Sequence, residues 1–144
     1  MSQSIPTIVI AEKESTANLL KLYLEEFESF SYLASVSDYT KAYNGIAELS
    51  KALVIIDVSD YPEQALNFVS KITSEFPDCR VIALSDKPDV DLVIRAMRVG
   101  ATDFLPIPII KKEFFEVLSK LYNDLTGGKQ KKSKCRVITV YSNK

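Results

Sequence analysis

Short, continuous apolar runs alternate with amphipathic blocks along nearly the whole chain, and this alternation limits its folds more than any other feature. The runs fall at residues 7–11, 31–36, 53–56, 81–84 and 103–105. The run at 7–11 has the pattern of a strand buried on both faces, 53–56 is the strongest strand, and 31–36, which includes Ser31 and Ser35, and 103–105, which opens with Asp103, read as a second and a short fifth strand. The blocks between them repeat every three or four residues and so suit helices with one apolar stripe. Five strands and five helices in strict alternation predict an α/β domain. Its sheet is expected to be parallel, with helices on both faces.

The stripes and helix ends are read residue by residue. The block at 14–27 carries Leu20, Leu24 and Phe27, with the Ser15 and Thr16 hydroxyls near its start as caps. Ser37 or Asp38 caps a second helix whose inner face is Ala42, Tyr43, Ile46 and Leu49. The third, 62–76, has proline in its first turn and Ala65, Phe68, Val69 and Ile72 inward. The fourth, 88–99, is expected to bury Val90, Val93, Ile94 and Met97 and to stop at Gly100. The fifth, 111–125, presents Phe114, Val117, Leu118, Leu121 and Leu125.

Composition removes several chemistries. The chain has no histidine, so it holds no Ser-His-Asp or Cys-His centre and no histidine-containing zinc site. Cys79 and Cys135 stand 56 positions apart and form no CxxC pair. No apolar run approaches the roughly 18 residues of a membrane span, and the first residues lack a signal-type pattern. The expected location is the cytoplasm. Residues 1–125 carry 12 basic and 19 acidic side chains, a net of −7, whereas residues 126–144 carry six basic and no acidic ones. The acidic body argues against nucleic-acid binding.

In a parallel sheet of this kind ligands bind beyond the carboxyl ends of the strands, where strand order reverses. The residues there are Glu12-Lys13-Glu14 after the first strand, Asp57 after the third, Ser85 after the fourth and Pro106-Ile107-Pro108 after the fifth. Glu14 belongs to the start of the first helix, where the helix dipole accounts for it. Taken together, these stations and the element order over residues 5–125 resemble the receiver domains of bacterial response regulators. That resemblance implies a CheY-like, flavodoxin-like three-layer (βα)5 fold. It places Asp57, in Leu-Val-Ile-Ile-Asp, at the phosphoacceptor position and Ser85 at the Thr/Ser that reports phosphorylation. Gly-Ala-Thr-Asp-Phe-Leu, residues 100–105, resembles the family's Gly-Ala-Asp-Asp-Tyr-Leu and puts Phe104 at the switch position. The bond between Ile107 and Pro108 is expected to be cis, as at the family's Lys-Pro.

Two stations depart from the family. The acid pair that binds Mg²⁺ becomes Glu12 and Lys13, leaving Glu12 and Asp57 as candidate ligands. Lys13 is expected beside Asp57, bringing positive charge where the metal would bring it. Ile107 replaces the lysine that faces the phosphoryl oxygens and offers no donor for the developing charge. The departures predict a pseudo-receiver with no required cofactor. The alternative is a working receiver phosphorylated on Asp57 by a histidine kinase, with Mg²⁺ held by Glu12 and Asp57. A small flavodoxin-like enzyme is disfavoured, since no glycine-rich loop follows the first strand. By the resemblance, partners and a second copy dock on the fourth helix, fifth strand and fifth helix. Arg95, Arg98, Asp103, Phe104, Lys111, Lys112 and Glu116 are the expected surface there.

Residues 126–134 read as a basic linker, and Val137-Ile-Thr-Val-Tyr141 as a further strand opening a second domain. Residues 135–144 resemble the first strand of the ParA/MinD class of ATPases, with Lys144 as the signature lysine of their phosphate loop. The glycines of that loop are not in this sequence, so no ATPase activity is expected of this stretch. A receiver-like domain followed by such an ATPase resembles the CpaE/TadZ family. This implies protein partners in Flp-type pilus assembly and positioning at a cell pole.

Overall fold

The computed structural model describes residues 4–49 and 51–126. Except for Thr126, the linker and the further strand lie outside the described residues. The elements run β1 (Ile5–Ile10), α1 (Glu14–Glu26), β2 (Phe30–Val36), α2 (Tyr39–Leu49), β3 (Leu53–Asp57), α3 (Pro62–Glu75), β4 (Arg80–Ser85), α4 (Val90–Arg98), β5 (Asp103–Pro106) and α5 (Lys111–Leu125). All strand pairs are parallel, in the order β2-β1-β3-β4-β5. This is the expected flavodoxin-like, CheY-like (βα)5 architecture.

Strand alternation divides the core into two layers. On β3, Val54 and Ile56 pack with the buried residues of α2, α3 and α4. Leu53 and Ile55 pack on the other face with Leu20, Leu24, Phe114, Leu118 and Leu121 of α1 and α5. The strands β1, β3 and β4 are therefore sandwiched, which is why their sequences are almost wholly apolar. The edge strand β2 is paired only with β1 and is more exposed. Its register shifts between Thr7 and Ile8: Tyr32 faces Thr7, Ala34 faces Ile8, and Leu33 is left as the bulge.

Several local expectations change. The first helix is preceded by Lys13, which makes no side-chain cap; Ser15 stands inside the helix and Thr16 is buried. Asp38 does cap α2, with Oδ1 accepting from the Thr40 amide at 2.8 Å. The fourth helix starts two residues later than expected, because Asp89 is its cap and accepts from Leu92 N at 2.8 Å. Its buried side is Leu92 and Ala96. Val90, Ile94 and Met97, expected inward, are 74%, 44% and 44% exposed. The apolar arc of this helix is wider than its contact with the sheet, and only part of it is covered. Gly100 ends it with φ of +113°, a conformation that disfavours side chains. A Cβ there would stand 2.5 Å from Thr73 Oγ1, a hydroxyl 2.8 Å from the Val99 carbonyl. Thr73 thus fastens α3 to the end of α4. Among the described residues no helix is long and apolar enough to cross a membrane.

Candidate functional site

Because strand order reverses between β1 and β3, the loops after these strands diverge and leave a cleft at their carboxyl ends. An open cleft of about 570 Å³ lies there. Glu12 after β1, Asp38 before α2, Asp57 at the end of β3 and Asp60 before α3 all line it, with Tyr39 and Tyr61 as walls. Asp57 is half-buried, and its Oδ1 accepts from the Ser59 amide at 2.8 Å. Such a turn holds a carboxylate at a strand end with its other oxygen unconstrained by that bond. The Tyr39 hydroxyl is pushed to a raised pKa, first by burial and then by the negative charges of Glu12 and Asp57.

Lys13 does not pair with Asp57. Its Nζ donates to Asp86 Oδ2 at 3.0 Å, across the mouth of the sheet in the loop after β4. That hydrogen bond, and then the charge of Asp86, raises the lysine's pKa; Asp60 and Asp57 add smaller contributions. The same hydrogen bond holds the Asp86 carboxyl below its ordinary value. Lys13 immediately precedes α1, and its side chain spans from the end of β1 to the loop after β4. Asp86 was missed as a site residue; its only sequence signal is its place directly after Ser85. Its amide donates to Ser59 Oγ at 2.9 Å, linking the loops after β3 and β4.

The other stations are only partly brought together. Ser85 is fully buried, and its Oγ accepts from the Lys87 amide at 3.0 Å. It does not line the cleft. Ile107 donates its amide to the Ser85 carbonyl at 2.8 Å, and the Ile107–Pro108 bond is cis, as expected. Phe104 is half-buried and packs against the α2–α4 core layer. Among the described residues, no three Asp, Glu, Cys or His side chains are close enough to hold a metal ion together.

The expected charged docking face is also rearranged. Arg95 pairs with Glu63 of α3 and lies 3.9 Å from Asp91, so it sits on the α3 side of α4. Lys111 pairs with Glu26 of α1. Asp103 accepts from Lys120 at 2.9 Å. These charges are matched within the molecule; Lys112 is exposed beside them. The exposed apolar stripe of α4 was missed as surface because periodicity alone assigned it to the core.

Comparison with known proteins agrees with this geometry. The model of the response regulator receiver domain matches residues 7–119. The transcriptional regulatory protein MalR of Bacillus subtilis is 22% identical over 115 residues, which cover 80% of this chain and 49% of MalR. The chain thus spans about half of that relative's length. A response regulator from Thermotoga maritima superposes with a TM-score of 0.77 at 27% identity, covering 84% of this chain and 99% of that one. A putative pilus assembly protein (cpaE) from Burkholderia thailandensis shares the fold, with a TM-score of 0.72 at 18% identity over 81% of this chain and 97% of its own. The chain belongs to the response regulator receiver domain family.

Proposed function

We propose that this chain is an atypical receiver that serves protein–protein interaction and localisation in a Flp-type pilus assembly protein, with Asp57 a poor phosphoacceptor. One observation carries the reading: the side chain after Glu12 is an ammonium held on Asp86, not a carboxylate facing Asp57. Phosphoryl transfer relies on cations around the transferring oxygens. Mg²⁺ usually takes one or two carboxylates within a near-octahedral oxygen shell. Glu12 and Asp57 are the carboxylates left to hold it, and Ile107 brings no charge to the opposite side. The pilus assignment draws on the resemblance of residues 135–144 to an ATPase first strand and on the fold likeness to the Burkholderia protein. Cytoplasmic location with recruitment to a cell pole belongs to the same reading. The docking surface in this reading is the apolar stripe of α4 with Phe104, Asp103 and Lys112 at its side.

The second reading, a working receiver phosphorylated by a histidine kinase, is favoured by Asp57 lining an open cleft beside Glu12. Incubation with acetyl phosphate and Mg²⁺, followed by intact mass measurement, separates the two. Little or no phosphoryl addition is expected. Substantial modification that disappears in Asp57→Asn overturns the atypical reading. Lys13→Asp combined with Ile107→Lys is expected to raise acceptance.

A further inference from the structure

The two edges of the sheet are finished in opposite ways. At one edge β5 has four residues, opens with Asp103 and ends in Pro106, which has no amide to offer. Its Asp103 is also held by Lys120. Short length, charge and proline are the devices that keep a sheet edge from pairing with another chain. At the other edge β2 has seven residues, Phe-Ser-Tyr-Leu-Ala-Ser-Val, with no charge and no proline among them. Its strand neighbour is β1 alone.

The ladder to β1 identifies the backbone groups that β2 has to spare. The Ser29 carbonyl accepts from the Ile5 amide at 2.9 Å, and the Val36 carbonyl accepts from the Ala11 amide at 3.3 Å. Successive residues of a strand turn their N–H and C=O groups to opposite sides, and an edge strand leaves one side unpaired. Counted from these two ends, Tyr32 before the bulge and Ser35 after it turn theirs to the free edge. Phe30 lies on the same side, but its amide is taken by the Phe27 carbonyl in the turn. The bulge leaves Leu33 53% exposed between them. On the α1 flank the Lys21 amine lies 5.6 Å from the centre of the Tyr32 ring, and Leu22 beside it is 58% exposed.

Charge narrows the occupant. Residues 22–40, bounded by Lys21 and Lys41, hold four acidic side chains and no basic one. Glu25, Glu26 and Glu28 precede β2 and Asp38 follows it; Glu26 is engaged by Lys111. The edge is therefore neutral along its length and negative at both ends. A second copy fits this poorly. Antiparallel pairing of two β2 strands, Phe30 against Val36, sets Glu28 of one copy against Asp38 of the other, and like charges facing each other across strands repel.

We propose that the free edge of β2 docks an extended segment of a partner protein, uncharged through its middle and carrying lysine or arginine at both ends, which adds to the sheet as a sixth strand. Main-chain hydrogen bonds to Tyr32 and Ser35 hold it, Leu33 and Leu22 give apolar contact, and Glu28 and Asp38 select its ends. The site lies at the opposite edge of the sheet from β5, so it is separate from the α4 surface. It does not depend on whether Asp57 accepts a phosphoryl group.

The test titrates the ¹⁵N-labelled full chain with the peptide Lys-Lys-Thr-Val-Thr-Val-Thr-Val-Lys-Lys and follows amide exchange with water. The Tyr32 and Ser35 amides are expected to exchange fast in the free protein and to slow at least about tenfold at saturation, as amides entering a ladder do. A peptide with glutamate in place of the four lysines should bind at least about tenfold more weakly. Ser35→Pro removes an outward donor at an exposed position and should abolish the protection, whereas Ser35→Ala should bind like the parent. Leu33→Lys, which adds like charge to the edge, should also weaken binding and serves if the proline variant does not fold. Any of four results overturns the proposal. The lysine peptide leaves both amides fast. The glutamate peptide binds equally well. The two amides are slow in dilute free protein, or slow with protein concentration alone, so that the chain or a second copy covers its own edge. Or the peptide shifts signals of α4 and not of β2. The phosphorylation assay uses neither peptide nor β2 variant, so each reading fails or stands by itself.

Discussion

The two helix layers of this domain are built from similar residues and finished differently. On one face α1 and α5 close over the sheet with interlocked rings. Phe27 and Phe115 centroids are 5.3 Å apart, Phe30 and Tyr122 6.0 Å, and Tyr23 and Phe114 6.0 Å. The Lys111–Glu26 pair bridges the outside of the two helices. On the other face α2, α3 and α4 leave a cleft at the strand ends and an uncovered apolar stripe along α4. Two helices meeting edge to edge can bury each other's flanks. A helix at the end of a row, as α4 is, has a neighbour on one side and solvent on the other. The lesson is that apolar periodicity reports how wide a face is, whereas the neighbours decide how much of it is covered.

The sharpest way to break this comparison is to truncate one ring and one stripe residue in parallel. Phe114→Ala removes a fully buried ring from the closed layer and should cost about 3–5 kcal/mol in urea unfolding. Val90→Ser, on the open stripe, should stay within about 0.5 kcal/mol. Comparable losses for both would show that the stripe of α4 is core after all.

Gly100→Ala tests the seam that does hold α4 in place. The positive φ and the Thr73 contact both oppose a methyl group, so a loss of about 1–3 kcal/mol is expected. Adding Thr73→Ser keeps the hydroxyl and deletes the methyl, and should recover part of the loss. No recovery would put the cost on backbone strain and on the Oγ1 and Cβ contacts that serine keeps.

Thr7 sharpens the other side. It is fully buried on β1 between Ile5 and Val9, whose side chains belong to the α1/α5 layer, and its Oγ1 meets no hydrogen-bond partner among the described residues. Valine has nearly the same shape without the desolvation cost of the hydroxyl. Thr7→Val should therefore stabilise the fold by about 1 kcal/mol. A loss of stability instead would reveal a partner for the hydroxyl.

The smallest effect concerns a surface link between the two layers. Lys13 precedes α1 and Asp86 precedes α4, so their pair ties the closed layer to the open one. The folded Asp86 carboxyl lies below its unfolded value, so its contribution is present above about pH 4 and is lost as pH falls through the lowered folded value. The Lys13 amine is raised above 10.5, so its contribution is present below that pH and is lost as pH rises through the raised folded value. Lys13→Gln should move the Asp86 midpoint upward in a carboxyl-carbon NMR titration. An unmoved midpoint would mean that solvent, not Lys13, sets it.

Element type and order were legible in the sequence because buried strands and amphipathic helices differ in period, and periodicity is local. The closing helix illustrates this: residues 111–125 carry one stripe that matches the observed α5 from end to end. The positions of Glu12 and Asp57 at one cleft were equally legible, since alternation fixes which strand ends share an edge of the sheet. Other features depended on distances between residues remote in sequence. Lys13 reaches Asp86, 73 positions away, because the parallel pairing of β1, β3 and β4 brings the loops after β1 and β4 to one end of the sheet. Arg95 turns to Glu63, and half of the α4 stripe stays open, because of which helices flank it. A one-dimensional pattern records the chemistry each residue offers; the choice among several reachable partners is made by packing, and so by the tertiary structure alone.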